Sequence, residues 1–142
     1  MALPTEDIKP HIGTRILADK ETLLGGDHAS EIRELMEQRG VLVFPEINFN
    51  DEEQVAFTRT LGKLAPEMFG EDVYKVTLDQ KANERSDYLK GSMYWHIDGT
   101  MNEVPILASI LSGKVLSPTG GQTEFCNTYA AYEQLPEEEK QA

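Results

Sequence analysis

The chain has 142 residues, long enough for one domain with a core, and its 25 acidic and 13 basic side chains leave a net charge of −12. Such a surface repels phosphate backbones, which argues against a nucleic-acid partner, and no apolar run is long enough to cross a bilayer. The N-terminus lacks the basic head and apolar stretch of a signal peptide, and the single cysteine, Cys126, allows no internal disulfide, so a reducing cytoplasm is the expected location.

Residues 1–10 are polar, contain two prolines and read as a loose lead-in, followed by a short strand over 11–17. Asp27-His28-Ala29-Ser30 supplies helix-start residues. Ile32, Leu35 and Met36 then recur at helical spacing, and Gly40 stops the helix. Gly40-Val41-Leu42-Val43-Phe44 is an apolar, β-branched run that predicts a strand buried on both faces. Asn50-Asp51-Glu52-Glu53 predicts a second helix. Asn50 caps it, Glu53 closes a capping box, the acidic first turn suits the helix dipole, and Gly62 is the stop. A strand is expected over 73–78, a polar loop over 79–91, and strand-like chain over 94–98. A long apolar strand over 105–115, a turn over 117–121 and a short strand over 122–126 follow. Helical character returns at 128–135, and Pro136 opens a last helix. Helices early and strands late imply an α+β or mainly β domain.

The chemistry centres on Trp95-His96-Ile97-Asp98. In extended chain, residues two apart share a face, so His96 and Asp98 would present an imidazole nitrogen and a carboxylate oxygen to one pocket. Two histidines and one carboxylate on one face of an octahedron suit Fe(II) and leave three positions open for a bidentate 2-oxoacid and O2. A lone His-x-Asp is weak evidence, and on its own it reads as a hydrogen-bonded polar pair at a strand end.

The surroundings change that reading. Trp95-His96-Ile97-Asp98-Gly99-Thr100 is followed by Glu103-Val104-Pro105 and an apolar run. Next come Ser117-Pro118-Thr119-Gly120-Gly121-Gln122-Thr123 and Tyr129-Ala130-Ala131-Tyr132-Glu133-Gln134-Leu135. Upstream stand Glu31-Ile32-Arg33, Gly40-Val41-Leu42-Val43-Phe44 and Leu61-Gly62-Lys63-Leu64. In this order the motifs resemble the TauD/TfdA-like dioxygenase family over about residues 12–140. The resemblance implies a partial double-stranded β-helix (jelly roll) with flanking helices. It also implies Fe(II), 2-oxoglutarate and O2 as the reacting set, with decarboxylation of 2-oxoglutarate to succinate coupled to hydroxylation of a small, anionic organic substrate. Carried over by motif, His96 and Asp98 are iron ligands and Thr123 binds a 2-oxoglutarate carboxylate. The structural alternative for Thr123 is a strand threonine after a Gly-Gly turn. Gly120 and Gly121 read as turn geometry, and Trp95 as core packing. Ser92 stands where taurine-specific members place a substrate-side asparagine. No histidine lies between Gly62 and Tyr94 to hold a sulfonate, so taurine itself is disfavoured.

The family's second half supplies a distal histidine ligand and an arginine for 2-oxoglutarate. Here the histidines are His11, His28 and His96, and no arginine follows Arg85. His28 reads as a helix-start residue and His11 as a terminal surface residue. The expectation is therefore the N-terminal portion of one domain. A jelly roll cut there leaves open sheet edges, which a homo-oligomer or a completing C-terminal chain would cover. The alternative from another class is a non-catalytic half-domain that binds a partner chain.

Overall fold

The computed structural model describes residues 2–65, 72–77, 79, 81 and 89–141. It divides into two compact units, one of residues 1–62 with 112–142 and the other of residues 63–111.

The first unit is built on a three-stranded sheet in the order β1 (Thr5–Asp7), β2 (Thr14–Ile16), β3 (Leu42–Val43). β1 pairs antiparallel with β2, bringing Thr5 opposite Ile16. β2 pairs parallel with β3, bringing Thr14 opposite Leu42. The parallel pair is reached through two helices, α1 (Lys20–Gly25) and α2 (Ala29–Arg39). Alternation sets the central strand: Thr14 and Ile16 are buried while Arg15 between them is exposed. The buried Thr14 hydroxyl donates to Asp7 Oδ1 at 2.7 Å and accepts from Arg39 Nε at 2.9 Å. Arg39 also donates to the carbonyls of Lys9 and Pro10, so one guanidinium closes the β1–β2 turn onto the end of α2.

α3 (Asp51–Leu61) packs against α1 and α2. Its start is the expected capping box: Asn50 Oδ1 accepts from Glu53 N–H, and Glu53 Oε2 accepts from Asn50 N–H, each at 2.8 Å. The core of this unit is Leu3, Ile16, Leu23, Ile32, Phe49 and Phe57, with Phe44 and Phe49 stacked about the Phe57 ring.

Lys20 Nζ donates to Glu53 Oε2 at 2.7 Å. That ammonium first, and the Asn50 N–H second, hold the Glu53 carboxyl below the usual carboxylate range. A lowered folded-state pKa contributes stability that is complete above the unfolded value, about pH 4.3, and is lost as pH falls through the folded value. Thermal melts should therefore show Glu53→Gln less stable than the parent at pH 7, with the gap narrowing as pH falls below about 4.3 and through the lowered folded value. A gap that persists unchanged at pH 3 would contradict the charge-based origin.

Several expectations are corrected. Residues 5–7 form a strand, because their backbone finds a partner in β2. α1 lies where no helix was read, and Asp19 caps it by accepting from Thr22 N–H. β3 is only two residues long, and Val43 is exposed rather than covered on both faces. Strands are absent at 73–77, 94–98, 105–115 and 122–126; Leu78 lies outside the described residues. These segments have strand composition but no ladder partner among the described residues, and a strand forms only where its backbone groups are paired. Many of their apolar side chains consequently face solvent, with Leu107 65 % and Val115 95 % exposed.

The expected late helices appear at Thr128–Glu133 and Glu137–Lys140. Polar contacts tie the returning chain into this unit: Ser112 Oγ to Gln54 Oε1 at 2.5 Å, Lys114 Nζ to the Phe49 carbonyl, and Asn127 Nδ2 to the His11 carbonyl at 2.7 Å. The observed class is a small α+β fold, and among the described residues no helix is long and apolar enough to cross a membrane.

Candidate metal centre

The second unit carries the His-x-Asp pair. A short 3-10 turn, Lys90–Met93, ends at Tyr94, and the chain continues through 95–97 in irregular conformation. A turn then begins at Asp98. No strand aligns the two side chains, yet they converge: His96 Nε2 lies 3.3 Å from Asp98 Oδ1.

Each partner is oriented from behind. His96 Nδ1 lies 2.7 Å from the Tyr94 carbonyl oxygen, an atom that only accepts. Nδ1 is thereby assigned as a donor, and Nε2 is the ring nitrogen turned toward Asp98. On the other side Ser109 Oγ donates to Asp98 Oδ2 at 3.0 Å. What remains is a ring nitrogen facing a carboxylate oxygen. Two acceptors at that distance repel unless a proton or a cation lies between them. Both side chains are open to solvent, at 48 % and 58 % exposure, so an ion has access.

The turn after Asp98 depends on Gly99. Its φ is +67°, in the left-handed region, and its carbonyl accepts from Asn102 N–H at 3.1 Å. A Cβ there would lie 2.6 Å from Ile106 Cγ1. The bare backbone thus allows the returning segment that carries Ser109 to pass close by.

The other predicted residues are placed as follows. Ser92, in the same unit, donates to the Leu89 carbonyl at 2.6 Å, so its hydroxyl hydrogen is engaged in the 3-10 turn. Thr123 belongs to the first unit and is exposed in irregular chain after Gly120 and Gly121. Both glycines have positive φ, as their turn role requires. Trp95 is 68 % exposed, which corrects the expectation of core packing. His28 Nδ1 donates to Glu31 Oε2 at 2.9 Å at the start of α2, and that contact holds the Glu31 carboxyl below the usual range. His11 is exposed. Among the described residues, no three His, Cys, Asp or Glu side chains gather as a metal site. A shallow polar cleft lined by Ser30, Arg33, Glu34, Glu37 and Thr60 contains none of the predicted residues.

Sequence reasoning missed Ser109 and the Tyr94 carbonyl. A backbone oxygen leaves no sequence signal. Ser109 left one: it is a hydroxyl inside an otherwise apolar run, Pro105-Ile106-Leu107-Ala108-Ser109-Ile110-Leu111.

The chain is similar to several known proteins. The alpha-ketoglutarate-dependent 2,4-dichlorophenoxyacetate dioxygenase of Cupriavidus pinatubonensis is 33 % identical over 135 residues, covering 83 % of this chain and 47 % of that protein. The (S)-phenoxypropionate/alpha-ketoglutarate-dioxygenase of Sphingobium herbicidovorans is 37 % identical over 106 residues, covering 70 % of this chain and 36 % of that protein. The crystal structure of AAD-2 in complex with Mn(II) and N-oxalylglycine superposes with a TM-score of 0.80 at 29 % identity, covering 99 % of this chain and 49 % of that one. The chain thus spans about half the length of the relatives it matches. Since residues 4–142 match the taurine catabolism dioxygenase TauD, TfdA family, the chain belongs to that family.

Proposed function

We propose that the chain carries the iron-binding pair of an Fe(II)/2-oxoglutarate-dependent dioxygenase acting on a small, anionic organic substrate. The observation that carries the reading is the convergence of two side chains able to ligate a metal, with His96 Nε2 and Asp98 Oδ1 3.3 Å apart. Two donor atoms each about 2.1 Å from one ion and at right angles lie about 3 Å apart, so the pair suits adjacent positions on a single ion. One imidazole and one carboxylate also match the donor types that Fe(II) takes. Bound there, Fe(II) would let O2 and 2-oxoglutarate convert a substrate C–H to C–OH, with release of succinate and CO2.

The protein groups have separate tasks. The Tyr94 carbonyl holds the Nδ1 proton and turns Nε2 outward, a backbone contact of the kind that fixes the tautomer of metal-bound imidazoles. Thr123 offers a hydroxyl to a carboxylate of 2-oxoglutarate. Ser92 contacts substrate once its hydrogen turns away from the Leu89 carbonyl. The two enzymes above are named for carboxylic acid substrates, which supports an anionic substrate here. Iron in the ferrous state also suits a reducing cytoplasm.

The exposed apolar segments at 104–116 and 125 support a further part of the reading. In this reading they pair as strands of a double-stranded β-helix when the rest of the fold, with a third iron ligand and an arginine for 2-oxoglutarate, packs against them.

Protein carrying these residues together with the third iron ligand and the 2-oxoglutarate arginine should consume 2-oxoglutarate and form succinate only when Fe(II) and O2 are both supplied. No Fe(II)-dependent succinate would overturn the reading. Gly99 gives an independent check. Placing alanine in the left-handed region costs about 1–2 kcal/mol, so Gly99→Ala should weaken Co(II) binding about 5- to 30-fold if the turn relaxes at the expense of Asp98. Unchanged affinity would show that the turn does not hold the carboxylate in place.

A further inference from the structure

We infer that Ser109 is a positioning residue that determines which oxygen of Asp98 is offered to the metal ion. The inference rests on the reading of His96 and Asp98 as ligands, and it concerns a side chain to which neither the motif nor the family comparison assigns a role.

An aspartate carboxylate rotates through a broad, roughly two-fold χ2 well, so its two oxygens are interchangeable unless something marks one of them. Asp98 is more than half exposed, and burial does not fix its rotation. The mark is the Ser109 hydroxyl. It donates to Oδ2 at 3.0 Å while Oδ1 faces His96 Nε2 at 3.3 Å. A hydrogen bond to an ionised oxygen is stronger than one between neutral groups, and here it engages the oxygen that points away from the imidazole. The carboxylate is therefore held for one-oxygen ligation and is hindered from turning both oxygens toward the ion.

The local fold delivers the hydroxyl. The chain reverses in the turn at Asp98–Met101, and Gly99, lacking a Cβ, lets Ile106 close against its backbone. Three residues later Ser109 stands beside Asp98, eleven positions away in sequence. The arrangement mirrors the histidine side, where the Tyr94 carbonyl fixes the imidazole from behind. Each ligand thus has one hydrogen-bond partner of its own.

The test is a Co(II) titration followed by quenching of Trp95, the chain's one tryptophan and the sequence neighbour of His96. Co(II) is preferred as probe because nitrogen and oxygen sites bind it more tightly than Fe(II). Four proteins are compared: the parent, Ser109→Thr, Ser109→Val and His96→Ala. Thr and Val have nearly the same shape and differ in the hydroxyl, so their comparison isolates the hydrogen bond from packing. Losing an outer hydrogen-bond partner of a ligand typically weakens metal binding 10- to 100-fold, so Ser109→Val is expected to bind Co(II) at least about tenfold more weakly than Ser109→Thr. Ser109→Thr should stay near the parent. Equal affinities for Thr and Val, alongside loss of binding in His96→Ala, would overturn the role of Ser109 and leave the ligand pair standing. Undiminished binding in His96→Ala would overturn the ligand pair itself, and the Ser109 role with it.

Discussion

Replacing His96 by alanine is expected to weaken Co(II) binding more than about 100-fold, beyond the range seen when only an outer partner of a ligand is lost. The reason lies in the pairing. Asp98 Oδ1 has His96 Nε2 as its neighbour at 3.3 Å, and no other metal-ligating cluster exists among the described residues. Without the imidazole a single exposed carboxylate must compete with water for the ion. The fold should not suffer. The imidazole is half exposed and its other polar partner among the described residues is the Tyr94 carbonyl, so the melting curve should move by no more than a surface substitution does, about 0.5 kcal/mol. Asp98→Asn is the matching variant on the other side, since it keeps shape and removes charge. The same loss of binding is expected, and iron-dependent succinate formation by the completed protein should disappear with either substitution. Binding that survives either change would place the ion elsewhere.

The second large effect is structural. Phe57→Ala should destabilise the first unit by about 3–5 kcal/mol, a large fraction of the 5–15 kcal/mol typical of a domain. Phe57 is 2 % exposed, and its ring meets Phe44 edge-on at 5.5 Å and Phe49 at 5.4 Å. It projects from α3, the helix that packs on both α1 and α2, so the cavity would open where three helices and the aromatic pair meet. Urea unfolding followed by circular dichroism measures the loss. A cost below about 1 kcal/mol would contradict Phe57 as the centre of this core.

The sequence was most informative where structure is decided within a few residues. The α3 capping box needs only Asn50 and Glu53 three positions apart, and both bonds form as read. The end of α2 at Gly40 is likewise local. It was least informative where structure depends on a distant partner. Residues 5–7 look like a polar tail until β2 supplies a ladder. Residues 105–115 look like a strand, yet no ladder partner for them occurs among the described residues. At the site, His96 and Asp98 were legible from the motif, although the reason given for their meeting, an extended strand, does not apply. Their convergence comes from the irregular chain at 95–97 and the turn at Gly99. Ser109 was hidden because its role arises only when the chain folds back.

Anomalous diffraction at the cobalt edge, from crystals grown with Co(II), tests the central claim most directly. The account predicts one strong peak within about 2.1 Å of both His96 Nε2 and Asp98 Oδ1. A peak bound to other acidic side chains, with the His96–Asp98 pair unchanged and empty beside it, would contradict it.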